Sequence, residues 1–131
     1  MRWVVAVLGV VFAVVLIRWV IFNIGFVPRC QNDVINEIQS PDKSHSAVVF
    51  ERGCGATTPT EWIVSIKEVK ARFNPEDYKA WVFISKNHPQ IDVTWPESNH
   101  LTVKSNRLDE TLPPIESWEG IRITRELEHR R

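Results

Sequence analysis

Much of what would announce a chemistry is scarce in this 131-residue chain. There are two cysteines, Cys30 and Cys54, and they lack the close pairing of a zinc site. The four histidines are scattered, with no His-x-x-x-His pair to hold a metal. Five glycines form no phosphate-cradling loop, no Gly-x-Ser-x-Gly elbow and no dinucleotide fingerprint. An excess of one charge is missing too, since 16 basic groups balance 16 acidic ones. Setting aside Arg2, Arg18 and Arg29 leaves 16 − 3 = 13 basic against 16 acidic groups, a balance without the concentrated basic face that nucleic acid requires. Acidic pairs do occur at Glu76-Asp77 and Asp109-Glu110, but on loops such pairs are ordinarily solvated. No catalytic residue, metal ligand or cofactor is assigned, and the chain is read as not an enzyme.

What the chain does have is one long apolar run. Trp3 to Phe22 is twenty residues that rise about 30 Å as a helix, the thickness of a bilayer hydrocarbon core. Arg18 opposes insertion by roughly 2.5–3.5 kcal/mol at mid-bilayer, but fourteen Val, Leu, Ile and Phe residues each favour it by roughly 0.3–0.6 kcal/mol. Arg18 also lies near the end of the run, where its side chain can snorkel to the headgroups. Trp3 and Trp19 fall at the two interfaces, so Trp3, Arg18 and Trp19 are read as anchor residues in contact with the lipid bilayer. The small-residue cleavage pattern of a signal peptide is absent after the core, which favours an uncleaved anchor.

Residues 1–29 are therefore assigned to the anchor and juxtamembrane segment, 30–126 to one β domain and 127–131 to a basic tail. A second domain does not fit. Val27-Pro28-Arg29 spoils the context for acylating Cys30. The positive-inside comparison of Arg2 with Arg18 and Arg29 is close to a tie, so the domain is placed outside the cytoplasm on the chemistry of its cysteines.

From Asp33 onward the pattern alternates. Val34 to Ile38 reads as a first strand, Ser40-Pro41-Asp42-Lys43 as a turn and Ser46 to Arg52 as the second arm of a hairpin. Gly53-Cys54-Gly55 ends that arm, and Thr57-Thr58-Pro59 follows. Glu61 to Lys67 puts Trp62, Val64 and Ile66 on one face, with Ile63, Ser65 and Lys67 on the other. Asn74-Pro75-Glu76-Asp77 carries helix-start signals for one or two turns. Trp81 to Ile84, Ile91 to Trp95 and His100 to Lys104 read as strands, and Trp118 to Arg125 as the last. Strand, proline-and-acid turn and strand occur twice, at Ile38 to Phe50 and at Val93 to Val103, which we read as two ordinary hairpins. Six or seven short strands point to a small antiparallel sandwich or partial barrel. Trp62, Trp81, Trp95 and Trp118 are assigned to its core and rim.

The combination Ser40-Pro41-Asp42, Ala47-Val48-Val49-Phe50-Glu51-Arg52, Cys54-Gly55-Ala56-Thr57-Thr58, Trp81 to Ile84, Val93-Thr94-Trp95, Leu101-Thr102-Val103 and Gly120 to Ile123 resembles a family of small bacterial envelope or lipoprotein-like proteins with no assigned activity. The resemblance covers roughly residues 30–125, implies an exported domain with a cysteine pair, and brings no catalytic residues with it. The missing acylation context at Cys30 departs from its lipid-anchored members and leaves the helix as anchor.

An exported cysteine pair is expected to oxidise, and closing a loop of about 25 residues stabilises a domain by roughly 3 kcal/mol. Free structural cysteines and a reactive Cys54 stay open as alternatives, the latter needing a base such as His45, His88 or His100. Gly53, Gly55, Thr57 and Thr58 are the motif loop around that cysteine. The reading is a single-pass protein of the bacterial inner membrane with a β domain that binds an envelope protein, peptide or glycan. The alternatives are a cysteine- or carboxylate-dependent enzyme and an accessory subunit whose helix docks on a larger complex.

Overall fold

The computed structural model of the chain describes residues 1–25, 30–107 and 115–128. Val27-Pro28-Arg29, the Pro113-Pro114 loop and the tail His129-Arg130-Arg131 lie outside these. The apolar run forms one helix, α1 (Arg2–Gly25), of 24 residues. Its apolar side chains from Trp3 to Phe22 are exposed all round, as a helix solvated by lipid would present them. Helix geometry continues beyond Phe22, and Asn23 Nδ2 donates to the Trp19 carbonyl at 2.8 Å.

The remainder is mainly β, in two four-stranded sheets that do not close into a barrel. The first holds β1 (Gln31–Gln39), β2 (His45–Gly53), β3 (Glu61–Glu68) and β4 (Trp81–Lys86), all antiparallel and in chain order. The second contains β5 (Ile91–Glu97), β6 (His100–Ser105), β7 (Ser117–Trp118) and β8 (Ile121–Leu127), in the order β5-β6-β8-β7. β6 and β8 are parallel, the one departure from antiparallel pairing among the described residues. The stretch read as a single last strand is in fact a hairpin. Glu119 and Gly120 both have positive φ, 44° and 85°, which reverses the chain in two residues and pairs Trp118 with Ile121.

The sheets share one core. Ala47, Val49, Val64, Ile66, Val82 and Phe83 from the first sheet meet Val93, Leu101, Val103, Ile121 and Ile123 from the second. Ile38, Trp62, Trp95 and Trp118 pack at its margin, and Trp81 is buried on the opposite face of the first sheet, as befits core and rim residues. β5 leaves from the β4 edge of the first sheet and reaches its β1 edge, where Trp95 Nε1 donates to the Ile38 carbonyl at 3.0 Å.

β2 and β3 are buried on both faces, whereas alternation alone leads one to expect a half-buried β3. Val48, Phe50, Ile63 and Trp81 form a second apolar cluster on the outer face, with Phe73 laid over it edge to face on Phe50 at 5.1 Å between centroids. The cover comes from the connection between β3 and β4. Its helix-start signals yield only a 3-10 turn at Tyr78–Ala80, because Trp81 resumes the sheet at once. Asn74 Oδ1 accepts the Glu76 amide at 3.0 Å, so the asparagine shapes a turn without starting an α-helix.

The two proline-and-acid turns also differ. Pro41 sits in its turn, while Pro96 lies within β5, an edge strand that tolerates a missing donor, and the actual reversal is Ser98-Asn99.

Candidate functional site

The β1–β2 ladder begins with Gln31 opposite Gly53, and the residues just beyond, Cys30 and Cys54, are joined by a disulfide. Both cysteines are partly exposed. Gly53 closes β2, and Gly55 adopts φ 129°, where a side chain would be strained, as it enters a turn closed by the Thr58 amide on the Gly55 carbonyl at 3.2 Å. Thr57 and Thr58 are exposed on that turn. The motif loop is therefore a stapled strand end.

None of the histidines considered as a base meets a thiolate. His45 Nδ1 lies 2.8 Å from Ser44 Oγ, His100 Nε2 lies 2.8 Å from Thr124 Oγ1, and His88 Nδ1 is 3.7 Å from Glu51 Oε1. Glu51, Trp62 and Ser85 form a cross-strand row, with the His88 ring edge-on to Trp62. Ser85 Oγ is buried and makes no hydrogen bond, so no nucleophile–base pair exists there. Among the described residues no group of three or more His, Cys, Asp or Glu is arranged to hold a metal ion.

The densest polar cluster is one that sequence reasoning missed. Arg52, next along β2 on the face of Val48 and Phe50, is only 7% exposed. Its Nη1 is 3.0 Å from Glu76 Oε1 and donates to Asn32 Oδ1 at 3.2 Å and to the Pro75 carbonyl at 3.4 Å. Nη2 donates to Glu76 Oε2 at 3.1 Å and to the Tyr78 hydroxyl oxygen at 3.3 Å. The guanidinium also lies over the Tyr78 and Trp81 rings, 5.7 and 5.4 Å from their centroids. Hydrogen bonds from Arg52 and then from the Tyr78 hydroxyl hold the Glu76 carboxyl below its usual range, while the bond to Glu76 pushes the Tyr78 phenol up and raises Arg52. Each group completes another, so the cluster clasps the 69–80 connection to the sheet. The sequence clue was an arginine two positions after Phe50 in an apolar strand, where a buried charge demands a partner.

Lys67 makes a second clasp, pairing with Glu37 Oε1 at 2.9 Å and donating to the Ala71 carbonyl at 3.2 Å. A shallow cleft of about 150 Å³ opens nearby between Phe73, Arg72 and Trp118. It is smaller than the roughly 300 Å³ at which small-molecule pockets begin.

Trp3 stands exposed in the first turn of α1 and Trp19 six residues before its end, with Arg18 exposed beside Trp19. Arg2 to Asn23 is long and apolar enough to cross a membrane, a property a signal sequence shares. Comparison with protein-family models, curated proteins and solved structures returned no match. The chain thus presents a helix able to span a bilayer followed by a disulfide-bonded β domain.

Proposed function

We propose that this is a single-pass protein of the bacterial inner membrane whose β domain stands outside the cytoplasm and serves as a binding or structural module of the envelope, without catalysis of its own. The observation that carries the reading is the placement of a disulfide at the fifth residue after a span-length helix. Disulfides persist in oxidising compartments, so a domain stapled this close to a membrane anchor belongs on the non-cytoplasmic side. The resemblance to envelope proteins agrees with that side of the membrane and supplies the bacterial setting. An exposed rim of polar strands and loops around a closed core suits recognition of a protein, peptide or glycan.

The test is maleimide labelling of Cys30 and Cys54 in intact cells, with and without a membrane-impermeant reductant. The expected result is no labelling until the reductant is added, followed by labelling of both thiols by an impermeant reagent. Thiols that label without reductant, and only after the membrane is permeabilised, would overturn compartment and topology together.

A further inference from the structure

We propose that the Cys30–Cys54 disulfide is a clamp on the membrane-side half of β1, and that its reduction releases Gln31–Asn36 from β2 as added stalk while the rest of the sandwich stays folded. β1 is unlike its neighbours. It is an edge strand, it is largely exposed, and Val34 and Ile35 keep 53% and 45% of their surface in solvent. β2 beside it buries Ala47, Val48, Val49 and Phe50 almost completely.

A bulge at Ile35 divides β1 into halves that are held very differently. Just beyond it Asn36 pairs with Val49 in the ladder, and the firmer hold starts one residue later, where Glu37 accepts from Ser46 Oγ at 2.7 Å and pairs with Lys67. Ile38 next to it packs on the core and receives the Trp95 bond. Before it, apart from ladder bonds, the strand is tied by Arg52 Nη1 on Asn32 Oδ1 at 3.2 Å and by the disulfide. Few buried apolar contacts and an exposed backbone place such a segment at the low end of local stability.

The chain's connectivity makes the clamp matter. α1 ends at Gly25 and the ladder starts at Gln31, so any pull between helix and domain acts on the first β1–β2 pair and would open the pairs one at a time. With the disulfide closed, the pull passes at Cys30 directly to Cys54, beyond the end of buried β2, and residues 31–53 are enclosed in a covalent loop. Opening requires thiol–disulfide exchange with an external dithiol. Its two sulfurs become joined, the Cys30–Cys54 bond breaks, and each cysteine leaves as a thiol carrying a proton from the reductant. Six residues, Gln31–Asn36, about 20 Å of chain at full extension, then join the linker between helix and domain. The release of the segment is independent of which compartment the domain occupies; the change in standoff rests on the anchored reading.

Amide hydrogen exchange on the full chain in nanodiscs, with and without dithiothreitol, tests this. The expected result is a rise of about tenfold or more in the exchange of β2-facing amides within Gln31–Asn36, with residues 37–39 and strands β2, β3, β4 and β6 changed by less than about threefold. A Cys30→Ser, Cys54→Ser double variant should show the released pattern without reductant and no response to it. Unchanged exchange in Gln31–Asn36 would overturn the proposal, because the ladder would then hold by itself. A rise spread evenly over all strands would overturn it equally, because the disulfide would then be a global staple.

Discussion

Arg52 on β2 reaches Glu76 across 24 positions of sequence, with Nη1 3.0 Å from Oε1, and this contact fastens the β3–β4 connection over the outer face of the first sheet. Arg52 is buried and Glu76 is 52% exposed, so the two ends of the pair are not equivalent. Removing the arginine strips five polar contacts and two ring contacts from the sheet face, whereas removing the carboxylate leaves the guanidinium with Asn32, the Pro75 carbonyl and Tyr78. Arg52→Ala is expected to cost about 2 kcal/mol, from lost packing as well as lost hydrogen bonds. Glu76→Gln is expected to cost less. Urea unfolding of the two variants checks the order, and equal or inverted losses would contradict the clasp.

The Ser40-Pro41-Asp42 turn sets a pH dependence. Asp42 Oδ1 accepts from Ser40 Oγ at 2.6 Å and from the Ser44 amide and hydroxyl at 3.1 and 2.8 Å, which lowers the carboxyl from 3.8 to about 2. A folded-state value below the unfolded one means that the stabilisation is fully present above the unfolded pKa and is lost as pH falls through the folded one. Glu37, lowered chiefly by Ser46 and then Lys67, and Glu76 act in the same direction. The domain should thus hold its stability down to about pH 5 and lose it progressively towards pH 2. A carboxyl carbon NMR titration should find the Asp42 midpoint near 2, and a midpoint near 4 would contradict the turn geometry.

At the β7–β8 hairpin the natural sequence is not the best one for the conformation. Glu119 adopts φ 44° and Gly120 φ 85°, the region that Asn-Gly occupies with least strain. Glu119→Asn is expected to stabilise by about 0.5 kcal/mol, and Gly120→Ala to destabilise by about 1 kcal/mol. Opposite shifts in the denaturation midpoint would bear this out, whereas a loss in both variants would show that Glu119 has a role beyond the turn.

Glu119-Gly120 also illustrates which parts of the fold the sequence revealed. Strand positions, the facing of Ile121 and Ile123, and the apolar helix follow from periodicity and length, which are local properties. The hairpin was hidden because Glu-Gly is a weak turn signal beside Asn-Gly, so Trp118 to Arg125 read as one strand. Parallel pairing of β6 with β8 depends on where the chain returns after Ser105, which no local pattern encodes. Arg52 and Glu76 were likewise invisible as a pair, since Glu76-Asp77 taken alone looks like any solvated acidic pair. The cysteine pair was legible only as one of three readings, beside free structural cysteines and a reactive Cys54, and it is the fold that brings Cys30 and Cys54 together in a disulfide.

Trp95 and Trp62 pose the sharpest comparison of packing with hydrogen bonding. Both rings pack against the shared core, but Trp95 Nε1 donates to the Ile38 carbonyl at 3.0 Å across the two sheets, while Trp62 Nε1 is buried and donates to no protein acceptor. Replacing either by phenylalanine removes a similar amount of ring. Only Trp95→Phe also deprives β1 of a partner, which adds about 1 kcal/mol. Trp62→Phe removes a donor that was already unsatisfied and recovers part of its packing loss. For a domain of this size, Trp95→Phe should therefore melt about 5 °C below Trp62→Phe. Loss of protection at the Ile38 end of β1 should accompany it in hydrogen exchange. If the two variants melt together, the bond between the sheets contributes nothing, and Ile38 is held by its side-chain packing alone.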